Sequence, residues 1–208
     1  MKVAVTAASG QLGSAITLQL IKEIGAGNVV AIARTPQKAE SLGVEIRKGD
    51  YNNREEFNTA LKGIDAVLIV SSMDQPDKRI QQHRNIIESA KATGVKKIVY
   101  TSIVGDKDKY GFSPIVKSNR QTEEDVKNSG LEWVIGRNGI YIEPDLDYIE
   151  NYNASGEIYN SAGDGLCTYT SRAELAVAYS KMLLEERHNA QVYNWLGNLL
   201  HKHNLPDF

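Results

Sequence analysis

Short apolar runs alternate with helical segments along most of this chain, and that alternation leaves few folds open. Residues 2–7 (KVAVTA) are a β-branched apolar run. After a loop, Leu12, Ala15, Ile16, Leu20 and Ile24 recur at helical spacing, and Gly25 and Gly27 close the segment. The cycle then repeats, with strands expected at 28–33, 44–48, 64–72, 96–103, 131–137 and 190–195. Helices are expected over 11–24, 35–42, 53–62, 76–93 and 117–129, and from Ser171 to about Glu186. Local signals support these ends: Pro36 after Thr35, Asn52 or Asn53 as a cap, Gly94 and Gly130 as stops, and Ser171 with Glu174 as a capping box. Residues 105–114 read as a glycine- and charge-rich loop. Beyond Gly139 the pattern loosens, with a turn at Asp164–Gly165. Strands alternating with helices predict an α/β fold, a doubly wound parallel sheet with helices on both faces.

Composition narrows the function classes. A chain of 208 residues suggests one domain and is long enough to bury a core without disulfides or metals. Lysine and arginine number 24 against 26 acids, a net charge of −2, which argues against a nucleic-acid partner. Cys167 is the only cysteine, so no internal disulfide forms and a reducing, cytoplasmic setting is expected. No apolar run reaches the ~20 residues of a membrane helix, and the strand-like N-terminus does not read as a signal peptide. The tail from His201 to Phe208 (HKHNLPDF) reads as polar and mobile. His201 and His203 within it lack a third ligand nearby in sequence, and no metal centre is read.

In open α/β sheets ligands sit at the carboxyl ends of the strands, near the point where strand order reverses. The first strand-to-helix loop, Thr6 to Gly13 (TAASGQLG), therefore carries the argument. Gly10 lets backbone approach a pyrophosphate, Gly13 lets the helix pack closely, and the helix N-terminus offers unpaired N–H groups. At the end of the second strand stands Arg34, where a carboxylate would select NAD. A guanidinium suits a 2′-phosphate, so NADP(H) is expected in preference to NAD(H), which stays possible. Asp50, after the third strand, lies where adenine should end; it either accepts from the adenine amino group or caps the next helix.

These stretches, with GDYNN, QHRNIIESAKATGVKKIVYTS, SGLEWVIGRNGIY and AGDGLCTYTSRAELA, resemble the atypical short-chain dehydrogenases of the NmrA-like type. The likeness is greatest to the NAD(P)H:quinone oxidoreductase type 2 and triphenylmethane reductase branch. It spans residues 1–195 or so and implies a Rossmann domain binding NADP(H). It implies that Ala7, Ala8, Ser9, Gly10, Gln11, Leu12 and Gly13 hold the pyrophosphate, that Arg34 takes the 2′-phosphate, and that Ser71 and Ser72 line the cofactor. It further implies that Asn138, Gly139, Tyr141 and Glu143 border the nicotinamide and acceptor cleft, which Arg172 reaches from its own segment. Residues 1–143 are then the cofactor-binding core, and 144–208 a shortened substrate-side segment packed on the same domain.

Three departures from the family pattern stand out. Ala7 replaces the first glycine of the loop. Asn119 stands where many atypical members place a catalytic lysine, and Lys117 is out of phase with it. The family usually continues well past residue 208, so the substrate lobe reads as truncated. No tyrosine has a lysine four residues later, so the usual Tyr/Lys proton relay is missing. A quinone needs less, because its hydroquinone anion can take a proton from water. Tyr141 and Ser102 are the candidate catalytic residues: Tyr141 could donate to a carbonyl oxygen, while Ser102, beside Thr101, ends the fifth strand where standard relatives keep a catalytic serine. His83 reads as structural. The expected function is an NADPH-dependent oxidoreductase acting on a quinone or similar small conjugated molecule, with a non-catalytic NADP(H)-sensing regulator as the alternative. A homodimer is left open.

Overall fold

The structure, a computed structural model, describes residues 1–105, 113–157, 166–197 and 199–201. In chain order the elements begin β1 (Val3–Val5), α1 (Gln11–Ile24), β2 (Val29–Ala33), β3 (Glu45–Lys48), α2 (Arg54–Ala60), β4 (Ala66–Ile69) and α3 (Pro76–Thr93). They continue with β5 (Lys97–Ile103), α4 (Pro114–Lys127), β6 (Glu132–Asn138), β7 (Ile140–Tyr141), α5 (Glu143–Leu146) and α6 (Ile149–Ser155). The last are β8 (Leu166–Thr170), α7 (Arg172–Leu184), β9 (Gln191–Trp195) and β10 (Leu199–His201). Seven strands form one sheet in the order β3-β2-β1-β4-β5-β6-β9, every neighbouring pair parallel. This is the doubly wound sheet that the alternation predicts. Order reverses between β1 and β4, which therefore flank the expected ligand crevice.

Each face of the sheet is closed by its own core. Phe57 of α2, Ile86 and Ile87 of α3 and Val126 of α4 pack on Val67, Ile69, Ile98, Tyr100 and Ile135. On the other face Leu12, Ile16 and Leu20 of α1 join Leu175, Tyr179, Met182 and Leu183 of α7 over Val3, Val5, Leu68, Val99 and Val134. Apolar residues on both faces of a strand are why these segments read as continuous runs rather than alternating ones. The caps behave as expected: Asn53 accepts from the N–H groups of Glu55 and Glu56, and Ser171 with Glu174 forms a complete capping box.

Several expectations shift. The segment after Thr35 is a 3-10 helix over Pro36–Leu42, not an α-helix. The fourth helix starts at Pro114, three residues early, because Ser113 caps it and the proline occupies its first turn. The core does not end at 143, since α7 covers one face and β9 extends the sheet beside β6. Between β6 and α7, β7 and β8 pair in parallel and β10 pairs antiparallel with β8, making a small second sheet of three strands. His201 is therefore in a strand and not in a mobile tail. His203, the rest of the tail and the Asp164–Gly165 turn lie outside the described residues. No helix among the described residues is long and apolar enough to cross a membrane.

Candidate functional site

The crevice begins at the turn after β1. The Ala8 N–H donates to the Ile32 carbonyl, and the Gly10 N–H donates to the Ala7 carbonyl, which folds the loop tightly. Gly13 is essential to that fold, because a Cβ there would stand 2.4 Å from the Ala7 oxygen and 3.0 Å from the Ala8 Cα. The glycine thus packs α1 on the loop backbone itself. Gly10 caps α1 without a side-chain bond, and the first turn holds no acid. Among the described residues the N–H groups of Gln11, Leu12 and Gly13 have no partner, while Ser9, Gly10 and Gln11 are exposed. Three unpaired donors at the positive end of a 14-residue helix fit a pyrophosphate.

Ala7 itself has φ +49°, the left-handed region, so the departure from glycine falls where a Cβ is strained. That conformation costs an L-residue roughly 1–2 kcal/mol, against roughly 0.5–1 kcal/mol of extra chain entropy lost by a glycine. Ala7→Gly should therefore raise the thermal midpoint by about 1–4 °C and leave NADPH binding unchanged or tighter. A lower midpoint in a thermal melt would show that the alanine fits this turn.

The crevice wall is pinned at the switch point. Thr6 Oγ1 accepts from the Val70 N–H and lies 2.6 Å from the Tyr51 hydroxyl, which donates to the Val70 carbonyl. Sequence reading passes over Tyr51, since one tyrosine after a KGD turn carries no periodic signal. Arg34 is exposed at the end of β2; the Asp74 carboxyl, held below its usual range chiefly by the Gln75 N–H, also feels its charge. Asp50 is committed locally: its Oδ1 accepts from the backbone and side-chain nitrogens of Asn52, an Asx-type turn leading into α2.

Beyond β4, Ser71 and Ser72 are held from below. The Ser71 N–H donates to Thr101 Oγ1, and the Ser71 hydroxyl accepts from Arg79. The Ser72 N–H donates to His83 Nε2 at 2.9 Å, and His83 Nδ1 lies 2.9 Å from Thr122 Oγ1, whose own proton goes to the Ser118 carbonyl. His83 is thereby a neutral Nδ1–H tautomer, and burial drives its pKa down to about 3. The structural role expected for His83 is to anchor the exit of β4. Asn119, fully buried, gives its Nδ2–H to the Ile115 carbonyl and accepts from the Tyr100 hydroxyl at 2.8 Å.

The far wall comes from β6 and the small sheet. The Gly139 N–H donates to the Trp195 carbonyl and the Ile142 N–H to the Thr170 carbonyl, which set the chain crossing above the cleft. Asn138 bridges two phenols: its Oδ1 lies 2.6 Å from Tyr179 Oη and its Nδ2 lies 2.9 Å from Tyr141 Oη. The Arg172 guanidinium sits 5.0 Å from the Tyr141 ring centre. Glu143 accepts from the Arg172 N–H at 2.6 Å and pairs with its guanidinium at 3.3 Å. Tyr141, Asn138, Glu143 and Arg172 therefore come together. Burial raises the Tyr141 pKa, so its hydroxyl keeps its proton at neutral pH.

Ser102 is placed otherwise than the sequence reading expects. It is 1% exposed, on the strand face that meets α4, and its hydroxyl donates to Glu123 Oε1 at 2.6 Å. Glu123, itself 1% exposed, also accepts from Arg120 Nη1 and from Arg137 Nε and Nη2. Arg120 also donates to the Ile103 and Gly105 carbonyls. Ser102 thus serves a buried ion cluster that ties α4 to β5 and β6, and its proton is engaged there.

Residues 7–186 match the family model described as NAD(P)H-binding. The chain is 35% identical over 200 residues to quinone oxidoreductase 2 of Escherichia coli, covering 94% of this chain and 68% of that one. Triphenylmethane reductase of Citrobacter sp., solved with NADP(H), superposes with a TM-score of 0.90 at 32% identity, over 95% of this chain and 70% of the other. The NADPH-dependent quinone oxidoreductase of Escherichia coli, solved with NADPH, superposes with a TM-score of 0.85 at 35% identity and the same shares.

Proposed function

The chain belongs to the NAD(P)H-binding family, and from that premise we propose that it is an NADPH-dependent reductase whose hydride acceptor is a quinone or a similar conjugated molecule. The reductase names of its relatives favour this over a regulatory role. Bound NADPH supplies the hydride; the residues here bind, orient and hold protons. The Ala7–Gly13 loop presents three N–H groups to the pyrophosphate, and Arg34 stands at the end of β2 for the 2′-phosphate, with NAD(H) the poorer cofactor. Asn119 carries the acceptor class: at the family's lysine position it is a neutral, buried amide already committed to Tyr100 and Ile115. No lysine stands there to form the usual relay with a tyrosine, so protonation of a strongly basic alkoxide product is poorly served, whereas a hydroquinone anion can take its proton from water. Met73, Ile115 and Ile140, respectively 97%, 49% and 54% exposed, add apolar surface at the edge of the sheet where β4, β5 and β6 end. Tyr141, protonated and bordered by Asn138 and Arg172, is the proton donor in this reading, while Ser102 ties β5 to α4 on the opposite face of the sheet.

The single cysteine supports a cytoplasmic setting, and the net charge of −2 supports a small-molecule partner rather than a nucleic acid. Steady-state NADPH oxidation with and without a benzoquinone tests the reading. Acceptor-dependent oxidation is expected, and none with any quinone would refute it. Arg34→Ala should weaken NADPH roughly 10- to 100-fold and leave NADH unchanged. Equal losses for the two would remove Arg34 from the phosphate site.

A further inference from the structure

Among the described residues Arg79 is a buried cation without a counter-ion. It sits in the first turn of α3 and is 6% exposed. Among the described residues one of its five N–H donors, at Nη2, is engaged, with the Ser71 hydroxyl, and Nε is buried with no partner. Among the described residues no carboxylate lies within ion-pair distance of it. Its neighbours are uncharged at neutral pH: Ser71, the Tyr100 phenol, whose pKa burial pushes up to about 12, and His83, held neutral by burial and by Arg79 itself. Burying an unpaired charge costs several kcal/mol, so a fold that keeps one without a partner points to a ligand that supplies the opposite sign.

The position of Arg79 narrows that ligand. Arg34 at the end of β2 marks the adenosine half of the crevice, so the other half lies over β4, β5 and β6. Arg79 reaches Ser71 at the end of β4, beside Tyr100 of β5. With the pyrophosphate held at the Ala7–Gly13 loop, the negative charge expected over β4 to β6 is the one that develops on the acceptor during reaction.

We propose that Arg79 is the anion-binding residue of the acceptor site, with its guanidinium placed to hold the phenolate-type oxyanion of the reduced acceptor. This rests on the quinone-reductase reading above. In the step, the C–H bond of the dihydronicotinamide breaks, and its hydrogen and electron pair pass to the quinone, which becomes a hydroquinone monoanion. The cofactor is oxidised and the quinone reduced. A proton from Tyr141 or water then completes the hydroquinone. A guanidinium fixed beforehand favours the charge that develops, without reorganising.

The test is a titration of the NADP⁺-loaded protein with 4-nitrophenolate, a stable mimic of that anion, and with neutral 4-nitroanisole. Arg79→Gln should weaken the phenolate roughly 10- to 100-fold, leave the anisole and NADPH affinities unchanged, and keep or raise the thermal midpoint. Arg79→Lys should recover part of the phenolate affinity. A purely structural Arg79 would instead lower the midpoint and spare the phenolate, which would overturn the proposal. So would equal losses for phenolate and NADPH, or a wild type that binds no phenolate. If phenolate binds through Arg79 but no quinone supports NADPH oxidation, the anion site stands and the quinone reading falls.

Discussion

Glu123→Ala should destabilise the protein by roughly 3–5 kcal/mol and lower its thermal midpoint by roughly 6–20 °C. The carboxylate is buried, which alone would raise its pKa, but hydrogen bonds from Arg137 and Ser102 and the charge of both arginines hold it below the usual range. It is therefore ionised in the fold and makes the close ion pairs with both Arg120 and Arg137. Removing it leaves two guanidiniums, the better buried of them Arg120, facing each other, with the charge of Glu124 acting on Arg137 alone. Arg120 also fastens the carbonyls of Ile103 and Gly105, so the damage reaches the carboxyl end of β5. Chemical denaturation of Glu123→Ala and Glu123→Gln checks this. The amide still accepts hydrogen bonds and should lose less, and equal, small losses would mean that the cluster contributes little.

Gly13→Ala should be the most damaging single methyl group for cofactor binding. The new Cβ would meet the Ala7 oxygen at 2.4 Å and the Ala7 carbonyl carbon at 2.9 Å, both backbone atoms that cannot rotate away. Either α1 lifts from the loop or the loop opens. Overpacking of this kind costs roughly 1–3 kcal/mol, and misplacing the donors of the helix N-terminus should cut turnover with NADPH on the order of 10²-fold. Gly10→Ala is the control for bulk in the loop, since its Cβ would lie 3.3 Å from the same oxygen, a contact relieved by a few tenths of an ångström. Comparable NADPH affinity in wild type and Gly13→Ala would refute the tight-turn account.

The first two thirds of the fold were legible because its inner strands are apolar on both sides and its helices carry written ends, such as Asn53 and Gly94, although α4 stops at Asn128 and not at Gly130. The segment between Asn138 and Ser171 was not. Its elements are too short to show a period, β7 having two residues and α5 four, and they are held by distant partners such as Thr170 and Trp195. At the site, the positions in the fold of the glycine loop, Arg34 and the Asn138–Tyr141 segment could be read, because each lies at the end of a strand. Arg79 and Glu123 could not, because a charged residue on a helix reads as solvent-facing until the neighbouring helix is seen to cover it. Ser102 was misplaced for a related reason: strand alternation says that Ser102 and Thr101 face opposite ways, but not which way faces the crevice.

The pairing of α1 with α7 also sets a constraint on how the chain is made. Leu12, Ile16 and Leu20 leave the ribosome early, whereas Leu175, Tyr179, Met182 and Leu183, which share their core, arrive about 160 residues later. At roughly 5–20 residues per second, one face of the growing sheet waits on the order of ten seconds for its second helix. During that interval the nascent chain presents an uncovered apolar surface. A synthesis pause or premature stop before Leu184 would therefore leave an aggregation-prone intermediate, whereas a stop shortly after Trp195 would leave both layers complete.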